Sequence, residues 1–148
     1  MANFSTYSFT DIELVLSHPS YGQFSLNGEG AGSIQINKTT ERSTHNVAAD
    51  GSVMTSKIAG DNGTVVVNAQ QTSDLHSWLQ GLFNYLKSAN TNEWAQISMT
   101  MRAPHMGRNV IGTYGSIQKE PDETFETQGG LLAWTLLFAD VQKTNRSI

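Results

Sequence analysis

Cysteine is absent from this 148-residue chain, which excludes a disulfide framework, a thiolate metal site and a cysteine nucleophile. The fold must hold by packing alone. Charge is scarce too: charged residues make up 15%, with 9 Lys and Arg against 13 Asp and Glu, for a net charge of -4. Such a balance excludes general grip on a nucleic-acid backbone, which needs clustered cations to displace counterions. The longest apolar run, "LLAWTLLFA" from Leu131, is far short of the roughly 20 residues of a membrane span. The opening "MANFSTYSFTDIE" has no charged start and no continuous apolar stretch. A soluble chain made and kept in a cytoplasm, with no membrane partner, is the expectation.

What the chain has instead is 13 glycines and many Ser, Thr, Asn and Gln residues. A neutral hydrogen-bonding surface costs less to desolvate than one of Lys and Glu, which eases contact between subunits. Length, together with the lack of repeats, low-complexity runs or linkers, predicts a single domain over residues 1–148.

Periodicity supplies the elements. Ile12, Leu14 and Leu16 alternate with Asp11, Glu13 and Val15, as in a half-buried strand. "QFSL" and "SIQINK" read as short strands separated by glycine-rich turns. Residues 39–62 are polar around Asp50-Gly51, which predicts a protruding hairpin closed by a type I′ turn. Val65, Val67 and Ala69 then alternate in a strand with one buried face. Thr72, Ser73 and Asp74 are competent N-caps. Leu75, Trp78, Leu79, Leu82, Phe83 and Leu86 follow at the spacing of one apolar helical stripe, so a docking helix is expected over about residues 73–88.

Three more strands are expected in "WAQISMTMR", "RNVIGTYGSIQK" and "GGLLAWTLLFADVQK". The last is apolar on both faces: Leu132, Trp134, Leu136 and Phe138 on one, Leu131, Ala133, Leu137 and Ala139 on the other. A strand of that kind calls for cover on both sides, from a sandwich partner or another subunit. The fold class expected is mostly β, a sandwich or barrel of two packed antiparallel sheets with one flanking amphipathic helix.

No constellation for chemistry emerges. His18, His45, His76 and His105 lie about thirty residues apart, without metal-ligand spacing. "NGEGAGS" at 27–33 lacks the Lys-Ser/Thr of a phosphate cradle, and no helix follows it. The pairs Asp11 with Glu13 and Glu123 with Glu126 read as solvated faces, and the Met-rich "ISMTMRAPHM" as core filling. No catalytic residue, cofactor or metal is assigned, and an enzyme is not expected.

The order of these signals carries a resemblance. "TYSFTDIELVLSHPSYGQFSL", "ADGSVMTSKIAGDNGTVVVNAQQTSDLHSWLQGLFNY" and "GLLAWTLLFADV" together resemble the tube-forming proteins of contractile phage tails, in particular a family of Mu-like and related myophages and prophages. The resemblance implies a subunit of the inner tail tube that assembles with itself into hexameric rings stacked as a hollow cylinder within a sheath. Sheath, baseplate and tail terminator proteins would be its partners. Double-stranded DNA would pass the lumen without specific binding, and the protein would reside in the virion. In that setting Asp11 or Glu13 is expected at the lumen or a subunit contact, and Arg42, His45, Asp50 and Lys57 on the hairpin at the contact between rings.

Two alternatives stay open at this stage. A phage-derived bacteriocin or secretion-like contractile device would use the same subunit. A monomeric β-barrel binding a small apolar ligand would instead use the aromatics Trp78, Trp94 and Trp134.

Overall fold

The computed structural model describes residues 6–27 and 31–145. The chain forms nine strands and one α-helix there: β1 Glu13–His18, β2 Gly22–Leu26, β3 Ala31–Lys38, β4 Ser43–Val47, β5 Val53–Lys57, β6 Gly63–Gln70, α1 Asp74–Ser88, β7 Ile97–Ala103, β8 Arg108–Lys119 and β9 Leu131–Asn145. Seven strands make one antiparallel sheet in the order β2-β1-β7-β8-β9-β6-β3. The other two, β4 and β5, pair only with each other.

Strands β2 and β3 are neighbours in sequence yet occupy opposite edges of that sheet. Leu26 and Ala31 are five α-carbon steps apart, at most about 17 Å of chain. A flat sheet of seven strands would be about 29 Å wide. The sheet therefore curls until its edges approach, and side chains from both ends share one core: Leu26 and Phe24 from β2 meet the same cluster as Ile34 and Ile36 from β3.

Helix α1 fills the inside of the curl. Ser73 caps it, its Oγ accepting from the His76 amide at 3.2 Å and donating to the Gln70 carbonyl at 2.7 Å. One hydroxyl thus ends β6 and starts the helix, which is the junction expected from Thr72, Ser73 and Asp74. Leu75, Leu79, Leu82 and Leu86 are buried against Leu14, Leu16, Val65, Val67, Ile97, Met99 and Trp134, while Trp78 and Phe83 pack at the margin. Each buried leucine contributes about 1.5–3 kcal/mol. The helix ends at Ala89, and Asn90 starts a short 3₁₀ turn, Thr91–Glu93.

The expected second packed layer takes a different form. The smaller sheet is the β4–β5 hairpin, exposed at every position, and it does not cover the larger one. Its turn also differs from the type I′ expected, because Gly51 has φ 90 while Asp50 does not enter the left-handed region. The Gly51 amide donates to the Ala48 carbonyl at 3.0 Å and the Ala48 amide to Ser52 at 2.8 Å. That is a three-residue loop with its glycine in the left-handed position.

A bend in the middle of the sheet redirects its two longest strands. Between the pairs Ile97–Gly115 and Met99–Gly112, β8 carries one residue more than β7. Tyr114 sits in this bulge at φ 55, the one non-glycine with positive φ among the described residues. Inward-facing positions change there from Val110 and Gly112 to Gly115 and Ile117, as a bulge in an antiparallel pair requires.

Candidate functional site: an assembly surface

Polar side chains inside the fold are already occupied with one another. His18, 2% exposed, donates to the Glu93 carbonyl through Nε2 at 2.9 Å and accepts from the Ser20 amide through Nδ1 at 3.2 Å. Ser20 Oγ donates to Glu93 Oε1 at 2.6 Å, and Tyr85 donates to the same carboxylate. The Ser20 hydroxyl is the main cause holding the Glu93 carboxyl below its ordinary value, helped by Tyr85 and the nearby His18 against partial desolvation. His76 accepts the indole N–H of Trp134 at 3.1 Å. No buried side-chain nitrogen or oxygen among the described residues lacks a partner.

The tryptophans serve packing. Trp134 is fully buried beside Phe83 and His76, Trp78 stacks against Phe24 and Tyr21, and Trp94 meets Phe83 edge-on. Among the described residues no group of His, Asp and Glu is arranged to hold a metal ion. No helix there is long and apolar enough to cross a membrane. The glycine-rich "NGEGAGS" falls partly at residues 28–30, outside the described residues.

What is exposed is more informative. On β9 the inward residues Leu132, Trp134, Leu136 and Phe138 are buried, but the outward face leaves Leu131 57% and Leu137 39% accessible. The cover its sequence calls for is not supplied by the other described residues. On the hairpin, Val47, Val53 and Met54 are exposed at 65%, 53% and 60%.

The six polar positions singled out from sequence do not converge on one site. Asp11 precedes the first strand in a 3₁₀ turn, Phe9–Asp11, instead of lying on it, with His105 Nε2 at 3.5 Å. Glu13 does lie on β1, and Arg102 of β7 stands 3.8 Å from it. At the hairpin base Arg42 pairs with Asp61, which also meets Lys38 at 3.6 Å. His45 faces outward opposite Thr55, and Lys57 closes the ladder opposite Ser43. Asp50 accepts from the Ser52 hydroxyl at 2.7 Å and the Ser52 amide at 3.0 Å, and the hydroxyl is the chief reason its carboxyl titrates below the ordinary value.

The geometry is thus that of a curled sheet with an internal helix, an uncovered apolar outer face and a projecting hairpin. The family model described as the bacteriophage PhiTE tail tube protein matches residues 4–145. The chain belongs to this tail tube family. The tail tube chain has no match among curated proteins. Among solved structures, it is similar to a chain in the sheath/tube terminator of an extracellular contractile injection system, PVC, in its extended state, at TM-score 0.59 and 8% identity over 97% of this chain and 99% of that one. A chain of the anti-feeding prophage (AFP) baseplate gives TM-score 0.58 and 4% identity, with 100% of both covered. One in the PVC sheath-tube complex gives 0.51 and 10%, covering 90% of the tail tube chain and 88% of that neighbour. At such identities the likeness is one of fold.

Several exposed residues were passed over in the sequence. Phe125 was not singled out although Glu123 and Glu126 beside it were, and Arg108, Lys143 and Met106 read only as members of strands or a core. The available signal was a single aromatic flanked by Glu123 and Glu126 in a stretch with no other apolar anchor.

Proposed function

We propose that this chain is the structural, non-enzymatic subunit of the inner tail tube, assembling with itself into stacked hexameric rings whose channel conducts double-stranded DNA on ejection. The observation that carries the reading is the uncovered outer face of β9 in a chain that matches a tail tube family over nearly its whole length. Leucines at 131 and 137 in an isolated subunit are an unpaid hydrophobic cost that a neighbouring copy removes. The edge strands β2 and β3 are likewise open to pairing, and ring closure satisfies them without leaving an aggregation-prone edge. Its net charge of -4 suits a conduit that must not hold phosphates.

The hairpin at residues 43–57 is the element that reaches the next ring, with Arg42, His45, Asp50 and Lys57 as its polar contacts, and Asp11 and Glu13 serve a lumen or lateral contact. The particle is built in a host bacterial cytoplasm, with sheath, baseplate and terminator proteins as further partners. A contractile injection device derived from a phage is the second reading, favoured by the fold likeness to AFP and PVC chains. Negative-stain microscopy of the purified protein tests the assembly directly. Rings or tubes with a central hole are expected; a monomer at every concentration would sink the proposal.

A further inference from the structure

Strand β8 carries two unlike surfaces at its two ends. It runs 12 residues from Arg108 to Lys119, so its ends stand at most about 37 Å apart. At the Arg108 end, an open apolar depression of about 350 Å³ is lined by Ile12, Ile36, Met101, Met106 and Val110. Arg108 and Lys143 also line it. The ion pairs among the described residues are Lys38 and Arg42 with Asp61, Arg102 with Glu13, His105 with Asp11 and Lys119 with Asp122, so neither Arg108 nor Lys143 has an ion-pair partner among them.

At the other end, the connection from β8 to β9 holds four carboxylates, Glu120, Asp122, Glu123 and Glu126, around one aromatic. Phe125 is 83% exposed, the most exposed large apolar side chain among the described residues. The connection is pinned rather than loose. Gln71 donates to Glu123 Oε2 at 2.8 Å and to the Thr124 carbonyl, Gln80 donates to Glu120, and Gln71 pairs its backbone amide with the Gly130 carbonyl. An exposed ring on a tethered connection, flanked by negative charge, is the form of an interface anchor, and an apolar hollow flanked by positive charge is its complement.

We propose that Phe125 of one copy seats in the Met106 depression of a second copy, with Glu126 facing Arg108 and Lys143. This rests on the tail tube reading and adds a second axial contact to that of the hairpin. Because knob and hollow lie at opposite ends of the subunit, the contact is head to tail and repeats without limit along one axis, as a heterologous interface does. It explains why, on one end, apolar lining occurs with two cations that have no ion-pair partner among the described residues, and why, on the other, an exposed aromatic stands next to Glu126.

Assembly of the wild-type chain, followed by sedimentation and negative-stain microscopy, is compared with that of Phe125→Ala and of Arg108→Glu. Both variants are expected to lower the pelleted tube fraction at least tenfold while the thermal midpoint of the subunit stays put. Adding Glu126→Lys to Arg108→Glu is expected to restore tubes. Since the native chain has no cysteine, Thr127→Cys and Met106→Cys on separate copies can be joined by a short bis-maleimide, and a mixed covalent dimer is expected only when both are present. If wild-type tubes form and the Phe125→Ala variant makes them equally long, or no mixed dimer appears within wild-type-like tubes, this contact alone is overturned. If the wild-type chain never assembles, the tail tube reading falls and the contact with it.

Discussion

The ring of Phe138 occupies the space that a side chain on Gly112 would need: a β-carbon there would lie 2.8 Å from Phe138 Cδ1. Gly115, on the far side of the Tyr114 bulge, is closed off by the same ring and by the Ile97 carbonyl. Two glycines on β8 thus form the seat for one aromatic on β9, where three long strands bend together. Gly112→Ala and Gly115→Ala are each expected to destabilise the subunit by about 1–3 kcal/mol through overpacking. Thermal unfolding of the unassembled chain checks this, with a drop of roughly 2–4 °C per kcal/mol.

Ser73 both closes β6 and caps α1. Replacing it with Ala removes the acceptor for the His76 amide and is expected to cost about 1 kcal/mol. Ser73→Thr keeps a hydroxyl that both accepts from His76 and donates to the Gln70 carbonyl and should lose less, so the pair of midpoints isolates the loss of the hydroxyl.

The Glu93 carboxyl titrates below its ordinary value of 4.5 because Ser20 donates to its charged form. A depressed value in the folded state means that the stabilisation is present above the unfolded value and is lost as pH falls through the folded one. Wild-type stability should therefore fall on acidification below about pH 4.5, more steeply than that of Glu93→Gln. Chemical denaturation across that pH window measures it, and parallel curves would rule out this role for Glu93.

Leu137 faces outward between Thr64 and Ser116. Leu137→Lys is expected to leave the subunit's stability within about 0.5 kcal/mol, as exposed substitutions do, yet to abolish rings. Analytical ultracentrifugation distinguishes a stable monomer from an assembled species. Assembly equal to wild type would show that this face is not the lateral contact.

Removal of residues 44–56 takes away the hairpin, which has no buried residue. The remaining chain is expected to keep its circular dichroism and thermal midpoint and to form no long tubes. Tubes of normal length would refute an inter-ring role for it.

The sequence made the local elements legible wherever one face is buried and the other wet. Leu14 and Leu16, Val65 and Val67, and the leucines of α1 announce their period and land in the core. Closure into one curled sheet was less legible, because β1 pairs with β7 some eighty residues on and no local pattern encodes such a partner. The turn at Asp50-Gly51 shows another limit. The dipeptide permits a two-residue turn, but Ser52 captures the Asp50 carboxylate, and the chain closes one residue wider. Phe125 was illegible as an anchor because exposure, which makes it notable, is a property of the folded surface alone.

Pairing of β1 with β7, and placement of β2 and β3 on opposite edges, also set the order in which this chain can fold. During synthesis the β1–β2 hairpin emerges first, with no sheet to join until residues 97–103 have been made. Joining β1 and β2 to the sheet waits on the longest-range strand pairing, which slows folding and leaves apolar strand faces uncovered meanwhile. A cell making many copies at once must hold each nascent hairpin apart from its neighbours until its own β7 arrives.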